Sequence, residues 1–259
     1  MNITASLLSR YRHFKASHFR WFPEGIALSR LKGICTGKRC FIIGNGPSLS
    51  ANDLTTLHEH GEITFAFNRI YHIFDQTSWR PTYYISQDQK MLKGCVREVN
   101  QIKASIKFFP IEAKWYYGII PCDATYFHCD NRHADDGKPL FSQDVALRIY
   151  NSNTVVYTAL QLAAHMGFKE IYLIGVDHHF HTSRDRDGNI VVDPTARDYF
   201  TDSYNAQDKQ DLYIPELDKS TLTYIAAREH VAKLGIKIYN ATRGGKLEVF
   251  DRVDFSTLF

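Results

Sequence analysis

The chain has 259 residues, 44% of them hydrophobic, and a formal net charge of +3 at neutral pH. That length buries a full core without disulfides or metals and suits one large α/β domain with added segments. The small charge and the absence of any nucleic-acid-binding pattern argue against a nucleic-acid partner, and no apolar run is long enough to cross a bilayer.

The five cysteines (Cys35, Cys40, Cys95, Cys122 and Cys129) are odd in number and never form a Cys-x-x-Cys pair. They read as reduced thiols of a cytosolic protein. The N-terminus lacks a signal-peptide h-region, so export is not expected.

Residues 1–38 form an extension rich in basic and aromatic residues, with Leu7, Leu8, Tyr11 and Phe14 at helical spacing. Two readings stay open for it. One is an extra helix packed on the domain; the other is a face resting on an anionic membrane surface, which would place a cytoplasmic protein peripherally at the inner membrane.

From residue 39 to 259 a single domain is expected, in which strands and helices alternate. Strands are predicted at Arg39–Ile43, Glu62–Phe67, Tyr83–Ser86 and Ile106–Phe109, with helices from the first glycine turn through His60 and over Gln89–Gln101. The stretch 113–140 is ambiguous. Asn153–Met166 reads as an amphipathic helix stopped by Gly167, followed by a buried strand at Ile171–Gly175. A helix at Lys219–Leu234 and a strand at Lys237–Tyr239 close the pattern, and the apolar Leu258-Phe259 end is expected to dock. Such alternation with short links predicts a Rossmann-like, doubly wound, mainly parallel sheet. Residues 178–215 are polar and irregular, which suits a lid.

The strand at Arg39–Ile43 breaks into Gly44-Asn45-Gly46-Pro47-Ser48-Leu49. Gly44 and Gly46 allow close backbone approach, Pro47 suits a first helical turn, and a helix N-terminus favours an anion. In doubly wound sheets ligands sit beyond the carboxyl ends of the strands. Asn45, Asn68, Ser86, Gln87, Asp88, Ser152, Asn153, Asp177, His178 and His179 all fall at such ends or at a helix start, so a shared nucleotide or phosphate site is expected. His178 or His179 suits proton transfer near neutral pH. Tyr199 and Asp202, in the lid, could hold a leaving phosphate and take a proton. His178, His179 and His181 lack a remote partner for zinc. Asp185-Arg186-Asp187-Gly188-Asn189 lacks the closing glutamate of a calcium loop and reads as a turn between extended arms.

The Ile43–Leu49 block, Asn68, and the run from Asn151-Ser152-Asn153 through Ala163-Ala164-His165-Met166-Gly167 to Ile174-Gly175-Val176-Asp177 resemble the bacterial family 42 sialyltransferases. They resemble still more a broad family of MptE-like proteins from bacterial glycan clusters, which takes in archaeal 6-hydroxymethylpterin diphosphokinases. The closing Tyr239-Asn240-Ala241-Thr242 and Gly244-Gly245-Lys246-Leu247-Glu248-Val249-Phe250 are similar to that broad family specifically, so the resemblance runs from about residue 39 to the C-terminus. It implies that Asn45, with the turn, and Asn68 contact a nucleotide, and that Ser152-Asn153 meet the base or the sugar carboxylate. His179 stands where the sialyltransferases have a phosphate-binding tyrosine, and Asp202 falls near their general-base histidine.

Three functions follow as expectations. The first is a glycosyltransferase that moves a nucleotide-activated sugar to a glycan acceptor, with no cofactor required; the sialyltransferase resemblance implies a CMP-linked acidic sugar. In that reading His178, His179 and Asp202 are catalytic. The second is a diphosphokinase using ATP and Mg²⁺ held by Asp88 and Asp177. The third is a nucleotide-binding protein without catalysis. Homo-oligomerisation is left open.

Overall fold

The computed structural model describes residues 3–180, 182–184, 190–192, 197–205 and 216–259. Its centre is a sheet of eight strands: β1 (Arg39–Ile43), β2 (Thr64–Phe67), β3 (Tyr83–Ile85), β4 (Ile106–Pro110), β5 (Ala124–Phe127), β6 (Glu170–Ile174), β7 (Lys237–Asn240) and β8 (Asp251–Arg252). Their spatial order is β8-β7-β6-β1-β2-β3-β4-β5. Every neighbouring pair is parallel, as expected of near-continuous apolar strands covered on both faces. The chain winds outward from β1 to β5, returns to lay β6 beside β1, and winds outward again. The reversal leaves a crevice at the carboxyl ends of β1 and β6.

Among the described residues, seven α-helices accompany the sheet: α1 (Ile3–Ser17), α2 (Pro23–Ser29), α3 (Ala51–Glu59), α4 (Gln89–Gln101), α5 (Ile111–Tyr117), α6 (Val155–Met166) and α7 (Leu217–Ala232). α4 keeps the predicted bounds but bends at Cys95 (φ −132°). α6 starts two residues later than expected, because Thr154 is its N-cap and accepts from the Val156 N–H; Gly167 in the left-handed region ends it. The ambiguous stretch after Ile111 supplies α5 and the edge strand β5. Phe259 stacks on Phe41 with ring centroids 5.9 Å apart, so the apolar C-terminal end is docked. The N-terminal extension holds α1 and α2, and its Phe19, Leu28 and Cys35 are buried in the same core as the sheet.

The largest difference from expectation lies in the first turn. The helix begins at Ala51, with the Ser50 hydroxyl accepting from the Asp53 N–H. Pro47 therefore sits in a separate turn ahead of the helix, not in its first turn.

In the segment read as a lid, Thr182–Arg184 and Ile190–Val192 pair antiparallel, and Asp202–Asn205 forms a short 3₁₀ turn. His181, the turn 185–189, and residues 193–196 and 206–215 lie outside the described residues.

Candidate functional site

Two loops interlock at the crevice. The Gly44 N–H donates to the Ile174 carbonyl (2.7 Å) and the Gly46 N–H to that of Gly175 (2.9 Å). A Cβ on Gly44 would lie 2.2 Å from the Gly175 carbonyl oxygen, and one on Gly46 would lie 1.9 Å from Asp177 Oδ2. The two glycines thus serve loop-on-loop contact.

The Ser48 hydroxyl donates to Asp177 Oδ2 at 2.8 Å, and the Ser48 N–H points to the same oxygen. The amides of Gly44, Gly46, Ser48 and Leu49 are taken within the chain, and the anion at the turn is the chain's own Asp177. Burial raises the Asp177 pKa, opposed by the Ser48 hydrogen bonds.

Three adjacent strand ends carry polar groups beside this turn. Asn45 follows β1, and its Nδ2 donates to the Phe67 carbonyl (3.2 Å) and the Tyr204 hydroxyl (3.0 Å). Asn68 ends β2 in the left-handed region (φ 52°), its carbonyl accepting from the Tyr84 hydroxyl. Ser86 follows β3. Asn45 Oδ1, Asn68 Oδ1 and Ser86 Oγ are all buried and none makes a well-formed hydrogen bond among the described residues, although the Ser86 hydroxyl interacts with that of Tyr84 and the Asn68 side chain with that of Tyr204. Buried polar atoms are normally well paired, so these three, at neighbouring strand ends, are under-satisfied.

The segment 197–205 covers them. The Phe200 N–H donates to the Asn45 carbonyl, the Tyr204 and Tyr199 rings stack at 4.1 Å, and the buried Arg69 donates to the Tyr204 carbonyl. Burial also keeps the Tyr204 phenol protonated by raising its pKa.

On the other side of Asp177, His178 (φ 51°) bonds Thr221 Oγ1 through Nε2 at 2.8 Å. The Thr221 hydroxyl gives its proton to the Leu217 carbonyl, so Nε2 must be the donor and Nδ1 carries the lone pair. Burial lowers the His178 pKa, opposed by Asp218, and the ring is neutral at physiological pH. His178 and Thr221 line a pocket of about 310 Å³ together with Arg228 and Lys246. The Gly244-Gly245 turn brings Lys246 there: the Lys246 N–H donates to the Asp177 carbonyl (2.7 Å), and a Cβ on Gly245 would meet that carbonyl oxygen at 2.9 Å.

Other expected site residues fall elsewhere. Asp202 is exposed, paired with Arg197 at 2.9 Å, and opens a surface 3₁₀ turn. Asp88 is exposed and caps α4 through the Lys90 and Met91 N–H groups. The Ser152 hydroxyl bonds Thr223 on α7, while Asn153 is half-buried in the bend just before Thr154, the N-cap of α6. Gln87 accepts from the Thr158 hydroxyl and donates to Asn151. His179 lies near enough to Asp177 to favour its charged form. Among the described residues, no group of three or more His, Cys, Asp or Glu side chains could hold a metal ion.

Arg69, Thr221 and Lys246 were not among the expected site residues. For Lys246 the signal was the double glycine before it; nothing local distinguishes Arg69 or Thr221.

The profile of the 6-hydroxymethylpterin diphosphokinase MptE-like family matches residues 18–183. The match begins inside the N-terminal extension and stops before the C-terminal block, unlike the span expected from the motifs. No curated protein matches the chain. Among solved structures, the MAf glycosyltransferase from Magnetospirillum magneticum AMB-1 is similar over 91% of this chain, at 15% identity and a TM-score of 0.52. This chain spans 38% of that protein's length, and the likeness is one of fold. The monofunctional alpha-2,3-sialyltransferase Cst-I from Campylobacter jejuni aligns with 79% of this chain and 75% of its own, at 14% identity and a TM-score of 0.44.

Proposed function

The chain belongs to the 6-hydroxymethylpterin diphosphokinase MptE-like family, and from that premise we propose a transferase that moves a sugar from a nucleotide donor to a hydroxyl acceptor. The observation that carries this reading is the row of under-satisfied oxygens, Asn45 Oδ1, Asn68 Oδ1 and Ser86 Oγ, at the carboxyl ends of β1, β2 and β3, beginning beside the switch point of the sheet. Amide oxygens accept from the hydroxyls of a ribose or the amino group of a base, and lifting the 197–205 segment would admit them.

His178 Nδ1 then takes the proton of the acceptor hydroxyl as its oxygen bonds the sugar carbon. The bond from that carbon to the phosphate oxygen breaks, and the nucleotide leaves with the electron pair. Lys246 and Arg228 lie beside His178 and suit an acceptor or leaving group that carries negative charge. The resemblance to sialyltransferases points to a CMP-linked acidic sugar as donor and a surface glycan as product.

One observation favours the second reading, diphosphoryl transfer from ATP. Asp177 sits at the turn where a phosphate would dock, and its charge there calls for a neutralising cation. Mg²⁺ needs only one or two protein carboxylates when phosphates supply the rest; Asp177 fits that requirement, whereas Asp88 is committed to the α4 cap.

Calorimetric titration with CMP, CDP, UDP, GDP and ATP, each with and without Mg²⁺, separates the readings. The expected result is binding of a pyrimidine nucleotide without metal, weakened about tenfold or more in Asn45→Ala and Asn68→Ala, the equivalent of one or two hydrogen bonds. Binding of ATP alone, and only with Mg²⁺, would move the assignment to diphosphoryl transfer. Binding of none of the five would end both.

A further inference from the structure

α1 carries Arg10, Arg12, His13 and Lys15 and no acidic residue. At the roughly 100° per residue of an α-helix, Phe14, Leu7, Tyr11 and Leu8 share an arc about 120° wide, with Arg10 just beyond one edge and Arg12 just beyond the other. The arc is only partly covered by protein. Tyr11 and Phe14 touch Phe22 edge-on, yet the four side chains remain between 48% and 59% exposed.

Two further aromatics are exposed on neighbouring elements: Trp21, 77% exposed in the turn after α1, and Tyr116 of α5, 62% exposed. The Arg12 guanidinium lies 4.9 Å from the centre of the Tyr116 ring, joining α1 to α5. Lys15 falls inside the same arc, between Tyr11 and Leu8, but is buried and paired with Glu24 at 2.7 Å, so that side of the arc ties α1 to α2; the surface charge is left to the exposed Arg10 and the half-buried Arg12. A monomer surface seldom exposes this many large apolar groups together without a partner for them.

We propose that this face docks on an anionic lipid surface, with Leu7, Leu8 and Phe14 entering the acyl boundary and Trp21 and Tyr116 at headgroup level. Charge decides between occupants. A two-fold contact between copies would set the same patch against itself, opposing Arg10 and Arg12 to their own counterparts. An anionic bilayer satisfies the apolar arc and both arginines at once. The binding is peripheral: no helix among the described residues is long and apolar enough to cross a membrane.

The test is co-sedimentation of the full chain with phosphatidylcholine vesicles, with and without about 30% phosphatidylserine. The expected result is partition onto the anionic vesicles alone, reduced by high salt. In Leu7→Asp/Phe14→Asp partition drops at least tenfold while the unfolding midpoint stays put, since both sites are half-exposed. A second variant, Arg10→Gln/Arg12→Gln, loses the preference for anionic lipid. The proposal is overturned by no partition, by equal partition onto neutral vesicles, or by partition that the aspartates leave unchanged. A dimer in solution that Leu7→Asp/Phe14→Asp dissociates overturns it too, by assigning the face to a second copy.

Discussion

His178 shows how a single side chain acquires a chemical role from its surroundings. The Thr221 hydroxyl, already spent on the Leu217 carbonyl, accepts from Nε2 and leaves Nδ1 as the basic atom. Burial holds the pKa below the ordinary histidine value. A base works in its unprotonated form, so the transfer rate is expected to fall only when pH drops through that lowered pKa, below about 6.5. A pH profile of kcat/KM checks this: His178→Gln should remove the acidic limb and most of the rate, and an unchanged limb would reassign the base. His178 was legible in the sequence because it follows an apolar strand that ends in a glycine. Thr221 was not, since only the packing of α7 against that strand end brings the two together. Asp202 shows the converse. Its chemistry was plausible from composition, and in the structure it stands exposed in a surface pair with Arg197, a contact that contributes little.

At the scale of elements, the interlocked loops after β1 and β6 separate two glycines that look alike in the sequence. A Cβ on Gly44 meets a backbone carbonyl, which cannot yield without shifting β6. One on Gly46 meets the end of the Asp177 side chain, which can swing away, and the Gly175 carbonyl at 2.8 Å, a milder backbone contact than the 2.2 Å at Gly44. Gly44→Ala is therefore expected to cost about 3 kcal/mol or to prevent folding, and Gly46→Ala about 2 kcal/mol with loss of the Ser48–Asp177 contact. Gly94→Ala, in α4 with open space around it, should gain about 0.5–1 kcal/mol. Urea unfolding of the three variants checks the order. The strands β1 to β4 and β6 were readable because each is a short apolar run bounded by turn residues. β5 (Ala-Thr-Tyr-Phe) carries no such signal and exists by pairing with β4. The start of α3 was misplaced because Pro47 suits both a helix start and a turn, and the Ser50 cap settles it.

For the molecule as a whole, burial lowers the pKa of four histidines: His72, His165, His178 and His230. Below about pH 6.5 the unfolded chain binds protons that the native fold resists, so stability falls as pH is lowered until the depressed native values are passed. Asp177 acts in the opposite sense at more acid pH: its raised native pKa means that protonation there favours the folded state. The urea midpoint is expected to drop between about pH 7.5 and 5.5, and a flat profile would contradict the burial of these rings.

The order of the sheet also sets the order in which it can be completed during synthesis. β1 lies at its centre, yet its partner on one side, β6, is not made until residue 170. A nascent chain can assemble β1 to β5 early, but the other edge of Arg39–Ile43 then stays unpaired, apolar and open to a neighbouring chain. The edge that ends up paired along its whole length with β6 is, on the ribosome, the part of the sheet most in need of a chaperone.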